Sequence, residues 1–298
     1  MNSNATVCFE GISRSFGGHK VLAGASGKIA AGRVVGLLGR NGEGKTTLLK
    51  ILLDMLACDG GRAVINGLSP DGSGEIRQHV GYIPERPLFH GFMTAQGVLE
   101  TRAGFFRNWD MTRAKALASK LELPLGTRVR GMSKGSLAKL TWICAAAHNP
   151  KVFFLDEPTS GLDALVRDDI LKNLITELTG EGKTILVTNH RMEEMAGVLD
   201  AVWVLSGGAI AFASPMEELM RDARHIKLRL KDGAQLPEIS GLTELNREGG
   251  FVELAALSGA AEDKLRATGA AETMETAGLS LNKVFSVLLK QFGGNRHV

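Results

Sequence analysis

Gly39-Arg-Asn-Gly-Glu-Gly44-Lys45-Thr46 follows directly on the apolar run Val34–Leu38, and a helix is expected to begin near Lys45. A strand that enters a glycine-bounded loop and leaves as a helix brings several backbone N–H groups to one point. Only residues without side chains allow that convergence at close range. Such a cradle suits the phosphates of a nucleotide. Lys45 adds a mobile positive charge for the β- and γ-phosphates, and the Thr46 hydroxyl can ligate Mg2+. The start of the helix contributes about half a unit charge more. Gly39, Asn41, Gly42, Gly44, Lys45, Thr46 and Thr47 are the predicted nucleotide-binding residues, with Lys45 also counted as catalytic.

The runs Val34–Leu38, Val152–Leu155, Ile185–Thr188 and Val202–Leu205 are too short for helices and are bounded by Gly, Asp, Asn or Ser. They read as buried strands of a mostly parallel sheet covered by helices, so the fold class is α/β. Before them, Val7–Phe9 and Val21–Ala23 suggest an antiparallel β subdomain. From about residue 96 to 148 the pattern is mostly helical, with Thr112 as N-cap of one helix and Pro124 closing it. A further helix is expected over Asp163–Leu178, where Leu171, Leu174, Ile175 and Leu178 share a face. After about Ser214 a small α+β extension is expected. Its parts are a strand at Ile226–Lys231, another at Phe251–Leu257 and an amphipathic helix at Ser280–Phe292. The predicted domains are therefore 1–213 and 214–298.

Composition excludes several classes. Hydrophobic residues make up 44% and charged residues 22%, which is a globular balance rather than a disordered one. A formal charge of +3 argues against a nucleic-acid binder driven by bulk charge, so no nucleic acid is expected. Three scattered cysteines, Cys8, Cys58 and Cys144, form neither a disulfide framework nor a zinc site. No apolar run approaches the roughly 20 residues that cross a bilayer. Arg221, Arg224, Lys227, Arg229 and Lys231 lie close together and read as a solvated strand face rather than a lipid-binding patch.

Val152-Phe-Phe-Leu-Asp156-Glu157 is a hydrophobic strand ending in two carboxylates. Buried strands deliver their C-terminal residues to the sheet edge where ligands bind. Asp156 can hold the Mg2+ shell, and Glu157, on the opposite side of the strand, can polarise an attacking water.

From here the residues resemble one family, the ATP-binding subunits of ABC transporters. Leu155-Asp-Glu-Pro-Thr-Ser-Gly-Leu-Asp163 is similar to its joined Walker B motif and D-loop. Met132-Ser-Lys-Gly-Ser136 occupies the place of its signature, with Lys134 and Ser136 where glycine and glutamine are commoner. Thr188-Asn-His190 resembles the H-switch, and Gly81-Tyr-Ile-Pro-Glu85 resembles the Q-loop with glutamate in place of glutamine. Phe16 sits where an aromatic residue stacks on adenine. The resemblance covers residues 5–213, and the export-like variants with a C-terminal extension look most like ABC-2-type exporters.

What the resemblance implies is a P-loop ATPase of ABC type using ATP and Mg2+. Glu157 and His190 would be catalytic, and Thr46, Glu85 and Asp156 would lie around the metal. Phe16 would hold the base, while Ser133, Gly135 and Asp163 would contact nucleotide at a dimer interface. The implied partners are a second ATP-binding subunit, as homo- or heterodimer, and separate transmembrane permease subunits. Those partners would hold the chain peripherally at the cytoplasmic face of the cell membrane. Two alternatives stay open: a soluble ABC ATPase without a transport role, and a non-hydrolysing nucleotide-dependent regulator.

Overall fold

The computed structural model describes residues 5–162, 175–176, 178–189 and 192–293. In chain order, β1 (Ala5–Phe16) and β2 (His19–Ala30) form an antiparallel hairpin, β3 (Val34–Leu38) enters the core and α1 (Lys45–Leu52) follows. β4 (Gly60–Ile65) returns to pair with β1, and β5 (Val80–Ile83) leads into the helices α2 (Ala95–Ala103), α3 (Met111–Lys120) and α4 (Lys134–Ala146). Next come β6 (Val152–Asp156), β7 (Thr184–Thr188), β8 (Ala201–Ser206) and β9 (Ala209–Pro215). The C-terminal part holds α5 (Met216–Asp222), β10 (Arg224–Leu230), β11 (Leu242–Glu248), β12 (Phe251–Ala256), α6 (Gly259–Ala267), β13 (Ala271–Gly278) and α7 (Leu281–Phe292).

β3, β6 and β7 are buried at every position, so neither face of these strands can be given to water. They lie in a six-stranded sheet of order β5-β6-β7-β3-β8-β9, parallel except where β9 turns back on β8. The α/β class follows, together with the antiparallel sheet β2-β1-β4. β1 and β2 run far beyond the apolar triplets visible in the sequence. Val7, Phe9 and Ile12 on one strand, and Leu22, Ala25 and Ile29 on the other, are all fully buried, and bulges absorb the polar residues between them.

The helical insertion begins at α2, whose N-cap Thr94 accepts from the Gly97 N–H. Thr112 does not cap α3. Asp110 does, two residues earlier, its carboxylate accepting from the Arg113 N–H. Nor does Pro124 close that helix: it ends at Lys120, and Glu122 turns into the left-handed region at φ 51°. Of the helix expected over Asp163–Leu178, only its last turn falls within the described residues. Among the described residues no helix is long and apolar enough to cross a membrane.

β10–β13 form a separate antiparallel sheet of order β11-β12-β10-β13, packed by α6 over Ile226, Leu228, Val252 and Leu254. Four of the five clustered basic residues are matched by carboxylates within 4 Å: Arg221 by Asp222, Arg224 by Glu262, Lys227 by Glu253 and Arg229 by Glu272. α7 leaves this sheet and returns to the larger one. Its buried residues Val284, Phe285, Val287 and Leu288 share one continuous core with Met192, Met195, Leu199 and Val202. Phe292 at its end lies 4.9 Å from the Phe212 ring of β9.

Candidate functional site

Because β3, β5, β6 and β7 run parallel, their carboxyl ends open on one edge of the sheet. β3 delivers the loop Gly39–Gly44, β5 delivers Glu85, β6 delivers Asp156 and Glu157, and β7 delivers Thr188. The loop needs its glycines. Gly42 and Gly44 sit at φ 85° and 100°, where side-chain-bearing residues are strained, and a Cβ on Gly39 would come within 2.7 Å of the Leu205 carbonyl. Glu43 accepts from the Gly207 N–H at 2.7 Å, which ties the loop to the turn between β8 and β9 and directs this carboxylate onto a backbone donor.

Lys45 opens α1 and is only 6% exposed. Its ammonium donates to the carbonyls of Gly39, at 2.7 Å, and Arg40, at 3.3 Å, and stands 3.7 Å from the Glu157 carboxylate. Burial lowers its pKa below the ordinary lysine value, and the neighbouring charges of Glu157 and Asp156 recover part of that loss. Asp156 is buried and accepts a 2.8 Å bond from the Thr188 hydroxyl. The same hydroxyl accepts from the Glu157 N–H, which also reaches the Thr188 carbonyl at 3.0 Å. Thr188 thus holds both carboxylate-bearing residues. Glu157 itself sits at φ 45°, a strained conformation for a side-chain-bearing residue and one that is concentrated at functional sites.

A cavity of about 470 Å3 is lined by Phe16, Val21, Asn41, Gly42, Gly44, Lys45, Thr46, Thr47, Glu85 and Glu157. Four stretches of chain that were predicted as site residues, Phe16, the Gly39–Thr47 loop, Glu85 and Glu157, meet there, with Val21 beside them. Gly39 and Asp156 are not among the lining residues, but both bear on Lys45: the Gly39 carbonyl accepts from its ammonium and the Asp156 charge acts on it. Among the described residues no group of three or more His, Cys, Asp or Glu forms a metal site by itself. The oxygens of Thr46 and Asp156 suit Mg2+, with phosphate oxygens and water completing the shell.

Ser133 and Gly135 are not among the residues that line this cavity. Ser133 is the exposed N-cap of α4; its hydroxyl accepts from the Ser136 N–H at 3.1 Å and lies 3.0 Å from the Ser136 hydroxyl. It therefore sits at a second helix N-terminus, with none of the lining residues of the first. Asp163 and His190 lie outside the described residues. Sequence reasoning placed Thr188 and Asn189 in the stretch that resembles the H-switch but gave a role only to His190, and it gave none to Glu43. The buried amide of Asn189 donates to the Thr159 hydroxyl at 3.5 Å and lies 3.9 Å from the Met195 sulfur. The signal for Thr188 was its place at the end of a strand paired with β6, which puts it opposite Asp156.

A nucleoside triphosphate asks for these features together: a cradle of amides, a buried cation, a metal-binding carboxylate and a second carboxylate beside it. The class so defined is that of the P-loop nucleotide hydrolases. Comparison with known proteins narrows it. The family model for ABC transporters matches residues 22–160. The chain is 32% identical over 260 residues to the Nod factor export ATP-binding protein I of Rhizobium leguminosarum bv. viciae, covering 81% of this chain and 83% of that one. It is 28% identical over 219 residues to the ABC transporter ATP-binding protein YtrB of Bacillus subtilis, covering 74% of each. Among solved structures, an ATP-binding subunit of an ABC transporter superposes with a TM-score of 0.66 at 25% identity, covering 72% of this chain and 92% of that chain. The chain belongs to the ATP-binding proteins of ABC transporters, a family of ATP-hydrolysing domains.

Proposed function

We propose that this chain is the motor subunit of an ABC exporter, in which ATP-driven closure of two such subunits is passed to separate membrane-spanning permeases. The observation that carries this reading is the single cavity shared by Phe16, the Gly39–Thr47 loop, Glu85 and Glu157. Export is favoured by the likeness to a Nod factor export protein. Residues 1–213 act as the ATPase domain, with a helical subdomain at about 96–148, and 214–298 as an extension.

Each step is assigned to residues of this chain. Phe16 stacks on the adenine, and the amides of the Gly39–Gly44 loop together with Lys45 hold the phosphates. Thr46, Asp156 and Glu85 would hold Mg2+, which would neutralise phosphate charge when bound. Lys45, already deprived of water, gives up its contacts with the Gly39 and Arg40 carbonyls for phosphate oxygens. Glu157 accepts the proton of the attacking water, and His190 contacts the γ-phosphate. Ser133, with the amides around Gly135, supplies the anion site that closes over the nucleotide of the partner subunit, where Asp163 also contributes.

Leu88, Phe92 and Phe105 are 94%, 73% and 68% exposed around the helical insertion. In this reading a permease segment docks on these side chains and holds the chain peripherally at the cytoplasmic face of the membrane. Glu157→Gln should bind ATP as the wild type does and lose phosphate release by at least about a hundredfold, the scale of a lost general base. A variant that releases phosphate at the normal rate removes Glu157 from this role.

A further inference from the structure

The Phe16 ring has two faces, and the protein uses one of them itself. Phe16 ends β1 and is 44% exposed, with the ring among the lining of the nucleotide cavity. The Arg14 guanidinium lies over the ring, 4.9 Å from its centroid, yet Arg14 is not among the residues that line the cavity. With the cation over one face, the opposite face is the one available to a base in the cavity. We infer that Arg14, clamped by Asp59, is a positioning residue for adenine recognition: it fixes the plane of Phe16 and polarises the ring that meets the base. The inference rests on the reading of Phe16 as the adenine platform.

The clamp is built on both oxygens of one carboxylate. Asp59 Oδ1 accepts from Arg14 Nη1 at 2.7 Å, and Oδ2 accepts from the Ser15 N–H at 2.7 Å. The Asp59 N–H in turn donates to the Ser13 carbonyl at 2.7 Å. Three successive residues before Phe16 are therefore tied to a single residue just before β4. Without these bonds a half-exposed phenyl at a strand end, next to Gly17 and Gly18, would sample several rotamers. Fixing it in advance removes an ordering cost from nucleotide binding. A cation on one face also draws electron density through the ring, which favours stacking of an electron-rich purine on the other.

The test compares a ligand that has a base with one that lacks it. ADP and inorganic pyrophosphate, each with Mg2+, would be titrated calorimetrically into the full-length wild type and the variants Arg14→Ala, Arg14→Lys, Asp59→Ala and Phe16→Ala. Arg14→Ala should weaken ADP binding about fivefold, the size of one half-exposed cation–π contact, while pyrophosphate binding stays within about twofold of wild type. Asp59→Ala should shift the same way, Arg14→Lys should restore most of the loss, and Phe16→Ala should lose at least as much as Arg14→Ala. If Phe16→Ala weakens ADP and Arg14→Ala does not, the role of Arg14 is overturned and the platform stands. If Phe16→Ala leaves ADP unchanged, the platform reading falls and takes the inference with it. Equal loss of ADP and pyrophosphate in Arg14→Ala would mean a general disturbance of the site, which also overturns it.

Discussion

At the scale of single residues the site is a balance between burial and charge, and Lys45 shows it most directly. Its ammonium is deprived of water and shares a small space with Glu157 and Asp156, yet burial is the larger effect and lowers its pKa. The unfolded chain therefore holds that proton more tightly than the folded one. Where the unfolded state binds more protons, stability rises with pH. The nucleotide-free protein should accordingly gain stability as pH approaches the ordinary lysine value from below, and Lys45→Met should remove that component; denaturant midpoints measured along a pH series check both. Lys45, Asp156 and Glu157 were legible in the sequence because their neighbours in the chain announce them. Thr188, Asn189 and Arg14 were not. Thr188 meets Asp156 only through the register of β6 against β7, and Arg14 meets Asp59 across 45 positions of sequence. Such partners carry no local signal, since pairing of distant strands creates them.

At the scale of elements, the buried strands of the parallel sheet were readable because apolar residues fill them without alternation, and hydrophobic runs of that length have few other uses. Boundaries set by capping were harder. Asp110 and Thr112 both qualify as N-caps by residue type, and only the geometry of the Arg113 N–H separates them. The amphipathic pattern of α7 was plain in Ser280–Phe292, but the surface it covers was not. α7 packs against the Met192–Val198 turn and β8, so the extension is joined to the ATPase core by buried side chains. Phe285→Ala should destabilise the protein by about 3–5 kcal/mol through the cavity it leaves. Because the core is continuous, unfolding should stay a single transition followed alike by probes in β10–β13 and near β8. Separate melting of the C-terminal sheet, with the wild-type transition kept elsewhere, would show that α7 does not join them.

At the scale of the whole molecule, the described residues place one helix N-terminus, that of α1, on the nucleotide cavity and another, at Ser133, away from it. α1 opens on the nucleotide cavity, while the Ser133 end of α4 stands exposed and apart from its lining. In the proposed function, a second copy would bring that spare terminus to the phosphates, and closure would then depend on triphosphate in both subunits. The family resemblance already implied this arrangement from the sequence; the fold adds that the Ser133 end of α4 lies apart from the lining of the cavity in its own chain. The most direct measurement is sedimentation velocity with Mg2+ and ATP, comparing Glu157→Gln alone with Glu157→Gln carrying Ser133→Arg. The first should form an ATP-dependent dimer, and the second should bind ATP as tightly as an isolated wild-type subunit yet remain monomeric. A dimer that persists with arginine at position 133, or a loss of ATP binding by the monomer, would contradict a nucleotide held by one subunit and sealed by the serine of the other.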